Sequence, residues 1–111
     1  MPLFEKSRIE VYLPDLPRQP EFRELRDRLA AEVTFAFGGC SVAPDVDGHY
    51  LAESGEDVRD RINVLYTDVP LVLRDDFASI ERYADELRTA VQQALDEDAV
   101  LVAVYPVYHS M

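Results

Sequence analysis

Cysteine, lysine and long apolar runs are all scarce in this 111-residue chain, and each scarcity removes a class of protein. Cys40 is the single cysteine, so no intramolecular disulfide can form, nor a four-cysteine zinc or iron–sulfur site within one chain. No apolar run approaches the ~18 residues that a membrane helix needs. The opening Met1-Pro2-Leu3-Phe4-Glu5-Lys6-Ser7-Arg8 lacks the apolar segment of a secretory signal, so the expected location is cytoplasmic. Positive charge is short as well. Eleven Lys plus Arg stand against 22 Asp plus Glu, for a net charge of −11, and Lys6 is the only lysine. Such a surface repels phosphate backbones, so no nucleic-acid partner is expected. Glycine-rich phosphate cradles of the Rossmann or P-loop type are absent too.

What remains is ordinary globular composition. Hydrophobic content of 48% and charged content of 30% argue against disorder, and the length suits a single domain, 1–111, that buries one core without staples. Within it, Arg8-Ile9-Glu10-Val11-Tyr12-Leu13-Pro14-Asp15-Leu16-Pro17 returns as Arg61-Ile62-Asn63-Val64-Leu65-Tyr66-Thr67-Asp68-Val69-Pro70. Arg, Ile, Val, Asp and Pro keep their offsets. Each copy alternates like a strand and runs into a helical segment, which reads as an internal repeat of strand then helix.

Arg8–Leu13 alternates as a half-buried strand, with Ile9, Val11 and Leu13 on one face. Pro14 and Pro17 end it, since neither donates a ladder hydrogen bond. Pro20 suits the first turn of a helix whose stripe is Phe22, Leu25, Leu29 and Val33, and Gly38-Gly39 stops that helix. Cys40-Ser41-Val42-Ala43 is a short strand ended by Pro44. Asp47-Gly48 marks a turn, His49-Tyr50-Leu51-Ala52 a returning strand, and Ser54-Gly55-Glu56-Asp57 a second turn, together an extended hairpin. The second copy places Ile62, Val64 and Tyr66 on one face and Arg61, Asn63 and Leu65 on the other. Asp75-Asp76 caps a long helix with the stripe Ile80, Tyr83, Ala84, Leu87, Val91, Ala94 and Leu95. Asp96-Glu97-Asp98 breaks it, and the Val-rich run Ala99–Tyr105 is a last strand.

The order β-α-β-β-α-β implies an α+β, ferredoxin-like fold: a four-stranded antiparallel sheet, both helices on one face, and an extended hairpin between the second and third strands. The expected strand order is 4-1-3-2, with the repeat strands as central neighbours. From Gly38-Gly39 through His49-Tyr50-Leu51 and Gly55 into Arg61-Ile62-Asn63-Val64-Leu65, the chain resembles a family of small bacterial proteins with this fold. In that family an aromatic hairpin precedes a central strand and a long second helix. The resemblance covers the C-terminal two-thirds; it implies the fold, and neither an activity nor functional residues. Better-known users of the fold do not match: the basic aromatic strand of RNA-recognition domains and the Cys-x-x-Cys of copper chaperones are missing.

Function is therefore sought on the sheet face away from the helices. Arg8, Glu10, Tyr12, Arg61 and Asn63 are expected there, with Leu101, Ala103 and Tyr105 adding apolar area, a patch on the order of several hundred Å². A second copy is the expected cover, because cyclic dimers dominate soluble oligomers. Two such sheets would enclose a cavity in which Arg, Tyr and Asn hold a small polar or anionic ligand. The same charges could instead form cross-strand pairs on a solvated sheet. His49 joins the candidates as a group that titrates near neutral pH. His109, two residues from the end, is expected to be exposed and mobile. Asp45, Asp47 and His49 alternate but do not continue a metal-binding pattern, so no metal site and no cofactor are expected. The leading expectation is a homodimeric ligand-binding protein without catalytic residues. Two alternatives are an inhibitor- or immunity-type module whose acidic clusters dock a basic partner, and a small α+β-barrel enzyme using His49, Cys40 or Tyr50.

Overall fold

A computed structural model of the chain describes residues 3–14, 20–95 and 100–110. The expected turn through Asp15 and Pro17 and the acidic break Asp96-Glu97-Asp98 lie outside these residues. So do the side chains of Phe22, Asp45, Tyr50, Ala94 and Leu95. Alternating polarity builds β1, Leu3–Pro14, which starts earlier than Arg8. Helix α1, Pro20–Phe37, buries Leu29 and Val33 of its expected stripe. Gly38 follows with φ 87°, a left-handed conformation that only glycine adopts without strain, and its N–H closes the last turn onto the Thr34 carbonyl at 2.7 Å.

Strand β2, Ser41–Leu51, runs uninterrupted into a hairpin with β3, Asp57–Val69. Two expected breaks are corrected. Pro44 does not end β2 but lies at a register shift between Ala43 and Val46, a bulge that tolerates a residue with no N–H to donate. Asp47-Gly48 is not a turn: Gly48 pairs with Asp60 inside the ladder, and the chain reverses further on, around Gly55 (φ 85°). Helix α2, Leu73–Leu95, departs from helical angles at Asp76 (φ −116°, ψ 21°), whose carboxylate accepts the Val72 N–H at 3.0 Å. The regular helix thus starts at the expected cap. Strand β4, Leu101–Ser110, continues past Tyr105 through Pro106, as an edge strand can when the missing N–H would face solvent.

The sheet order is β2-β3-β1-β4, every pair antiparallel, so β1 and β3 are central neighbours as expected. This is the ferredoxin-like α+β arrangement. One hydrophobic cluster joins Ile9, Val11 and Leu13 of β1 to Leu65 and Val69 of β3, with Leu29 and Val33 of α1 and Leu87 and Val91 of α2 over them. Phe37 meets Tyr83 edge-on at 4.9 Å between ring centres, tying the end of α1 to α2.

The faces of β3 are the reverse of the sequence expectation. Val11 stands opposite Leu65 and Leu13 opposite Asn63, and paired residues share a face. Asn63, Leu65, Thr67 and Val69 therefore lie under the helices, while Ile62, Val64 and Tyr66 lie on the open face. Apolar residues occupy both parities of β3, so alternation alone leaves the choice undecided. Packing decides it: Leu65 at 1% exposure and Val69 at 0% fill the space below the helices. Two buried polar residues of that face are hydrogen-bonded. Thr67 donates to the Gly39 carbonyl at 2.6 Å, and Ser7 donates to the Leu71 carbonyl at 2.7 Å. The register sets Ile9 opposite Thr67, and Ile62 opposite Pro14. Ile9 and Ile62 thus occupy opposite faces of the sheet.

Candidate functional site

Three cross-strand rows make up the open face. Asp68, Arg8 and Tyr105 form one, Tyr66, Glu10 and Ala103 the next, and Val64, Tyr12 and Leu101 the third. Each row takes one residue from β3, β1 and β4, so side chains distant in sequence stand roughly 5 Å apart. Two carboxylates organise the array. Arg8 grips Asp68 with both ends of its fork, Nε–Oδ1 at 2.7 Å and Nη2–Oδ2 at 3.0 Å, while its guanidinium lies 4.7 Å from the centre of the Tyr66 ring. On the other side, Asp68 Oδ2 is 2.7 Å from His109 Nε2. Glu10 accepts the Tyr12 hydroxyl at 2.6 Å on one oxygen and the Tyr105 hydroxyl on the other.

This pairing sets the protonation states. The Arg8 guanidinium holds the Asp68 carboxyl below its ordinary range, and His109 acts in the same direction. Asp68 is thus an acceptor, so His109 donates to it from Nε2. The bond to Glu10 pushes the Tyr12 phenol up to about 12 and raises Tyr105 as well. Both hydroxyls therefore stay protonated donors at neutral pH. With its oxygens occupied by phenols, Glu10 serves as an anchor for two oriented rings rather than as a free base.

The six sequence candidates divide between the two faces. Arg8, Glu10 and Tyr12 stand together on the open face. Asn63 is buried at 3% exposure on the helix side, opposite Leu13. Arg61 occupies the same parity, paired with Asp47 where the hairpin extends beyond β1. His49 lies further out, its Nδ1 3.5 Å from an Asp57 carboxylate oxygen. The expectation of Arg61 and Asn63 on the open face is thereby corrected, for the parity reason given above. Cys40 precedes β2 and His49 is near its far end, a separation of about 30 Å at ~3.3 Å per residue. The combined Cys40–His49 site is ruled out by that distance. Burial also raises the Cys40 thiol, away from the reactive thiolate.

Sequence reasoning missed Asp68, Tyr66 and His109. Asp68 stood in the repeated motif without an assigned role. His109 was expected to be mobile, yet its side chain is 28% exposed and bonded to Asp68 because β4 continues through Pro106. One hollow adjoins the array and another lies on the helix side of the sheet. The first, of about 280 Å³, lies beside Lys6, Gly39, Ser41, Asp68 and His109. The other, a groove of about 710 Å³ between α2 and β4, is lined by Phe77, Ile80, Val102 and Val104 among others. Among the described residues no three metal-ligating side chains converge, and no helix is long and apolar enough to cross a membrane.

No protein-family model matches the chain, and no curated protein matches it in sequence. Solved structures do. The chain is similar to Cut A1, a divalent cation tolerance protein from Thermus thermophilus, with a TM-score of 0.56 and 13% identity over 94% of this chain and 84% of that one. It is similar to CPII, a nitrogen regulatory PII-like protein from Thiomonas intermedia, with a TM-score of 0.55 and 14% identity over 99% and 100%. CutA1 from Oryza sativa gives 0.54 and 12% over 98% and 85%. At such identities the likeness establishes the ferredoxin-like fold and nothing finer.

Proposed function

We propose that this protein binds a small polar organic ligand on the open sheet face and does so as a self-associated molecule, two copies covering the face between them. The observation that carries the reading is the Tyr12–Glu10–Tyr105 bridge beside Arg8–Asp68–His109. Two carboxylates hold two phenols, a guanidinium and an imidazole in fixed directions on neighbouring strands. Rings and polar groups held in place in advance lose little freedom on binding, which is what a ligand site requires. CPII, bound to ADP, AMP and bicarbonate, is a protein of this fold that holds small polar ligands, which supports the same reading here.

Self-association is supported by the apolar surroundings of the array. Leu101 is 62% exposed and shares the open face of an edge strand with Tyr105, a surface that a second copy would bury. The test is a thermal-shift screen of nucleotides, nucleosides, amino acids and organic acids, with sedimentation velocity on the same samples. A ligand that binds the native state must raise the melting temperature. That rise should be lost in Glu10→Gln and reduced in Tyr12→Phe. A monomer throughout, with no compound stabilising it, would remove the proposal.

A further inference from the structure

Lys6 is the one lysine of a chain with twice as many acidic as basic residues, and it lines the 280 Å³ hollow beside the start of β2. An ammonium among so many carboxylates ordinarily finds one. Lys6 is half-buried and has no ion-pair partner among the described residues. The carboxylate in the same hollow, Asp68, is already held by Arg8 and His109. The local balance is therefore the reverse of the molecule's: Lys6 and Arg8 stand beside a single carboxylate, Asp68, that is already paired. Ser41 adds a hydroxyl, and Gly38-Gly39 leaves the wall open, with no heavy atom within 4 Å of where their side chains would begin. The Thr67 bond to the Gly39 carbonyl fixes that wall in place.

We propose that this hollow is an oxyanion subsite, in which Lys6 and Ser41 hold a phosphate or carboxylate group of the ligand carried on the adjoining open face. The inference rests on reading that face as a ligand site, and it adds the class of ligand: one with an anionic end. The hollow shares Tyr66, Asp68 and His109 with the array, so a molecule whose polar body lies against Tyr66 and Tyr105 would bring its anionic end toward Lys6. An ammonium in a partly enclosed space attracts an oxyanion more strongly than one in bulk water, because screening is reduced.

The probes are inorganic phosphate, bicarbonate and acetate, titrated at constant ionic strength against chloride and followed by backbone amide shifts of Gly38, Gly39 and Ser41. Saturable shifts are expected for phosphate or a carboxyl-type anion, and which anion saturates identifies the group. Lys6→Gln should weaken that binding about tenfold, equivalent to about 1.4 kcal/mol. Lys6→Arg should retain most of it, and Arg82→Gln, in the groove along α2, should leave it unchanged. Equal affinity in Lys6→Gln, or shifts that never saturate, would overturn the subsite. An organic ligand that depends on Glu10 and binds Lys6→Gln as tightly as the native chain overturns the subsite and keeps the open-face reading. Phosphate binding that needs Lys6, with no Glu10-dependent organic ligand, does the reverse.

Discussion

Arg8 and Asp68 stand directly opposite each other across the two central strands, and both oxygens of the carboxylate are engaged by the guanidinium. Arg8 opens the first copy of the Arg-Ile-x-Val motif and Asp68 belongs to the second. The antiparallel register brings the start of one copy to the end of the other. What looks in sequence like a doubled strand–helix unit thus acts in the fold as a pair of complementary ends that also seat His109.

Asp68 gives the open face an acid-sensitive component. Its folded-state pKa is depressed, so its contribution is fully present above the unfolded carboxyl value of ~3.9 and is lost as pH falls through the folded value. Asp68→Asn should lower stability by about 1–2 kcal/mol at neutral pH, between the values for exposed and buried pairs. The gap from the native chain should close below about pH 4. Urea unfolding of both proteins across that range measures it.

Glu10 should govern two phenols together. Tyr12 titrates at about 12 and Tyr105 is raised by the same carboxylate, so Glu10→Gln should bring both toward the ordinary tyrosine value of ~10. Ultraviolet titration of tyrosinate absorbance follows this. The sign for stability is opposite to that of Asp68. A raised phenol stabilises below the unfolded value and loses that contribution as pH climbs through about 12. Titration of the native chain and Glu10→Gln along one curve would contradict the bridge.

The face assignment of β3 is open to a direct comparison. Leu65→Ala should cost about 2–4 kcal/mol, because it removes a buried side chain and leaves a cavity. Tyr66→Ala should cost about 1 kcal/mol, chiefly the contact with the Arg8 guanidinium. Chemical denaturation with unchanged m-values ranks the two. The reverse ranking would mean that β3 presents the other face to the helices.

The hairpin should divide by protection. From Asp47 opposite Arg61 out to Leu51 opposite Asp57, β2 and β3 pair with each other beyond the end of β1, whose last partner on β3 is Ile62. A two-stranded ribbon is marginal in water. Amides of the outer segment should exchange at least about tenfold faster than those of residues 63–69, which have β1 alongside. Hydrogen exchange read by mass spectrometry or NMR checks it. Equal protection in a dilute sample would mean that a partner covers the outer segment.

Much of the architecture was legible in the chain. Alternation in Arg8–Leu13, Pro20 and Gly38-Gly39 around one helix, and the capped stripe from Asp76 to Val91 each satisfy a local rule, and local rules in sequence order imply the strand order. The candidate site was legible only on β1. Arg8, Glu10 and Tyr12 share a parity that Ile9, Val11 and Leu13 define without ambiguity. On β3, Val64, Leu65 and Tyr66 are consecutive and apolar, so no periodicity chooses a face. Pro106 likewise looked like an end, because the freedom of an edge strand to carry proline depends on its place in the sheet.

The sequence by itself determined the class of fold, the order of its elements and the inward face of β1, because hydrophobic spacing and turn residues act over a few neighbours. Tertiary structure decided which way β3 faces, that β4 runs on to His109, and that Asp68 meets both Arg8 and His109. Those outcomes come from filling one space beneath two helices and from strand register, which link residues far apart in the chain and leave no mark on local pattern.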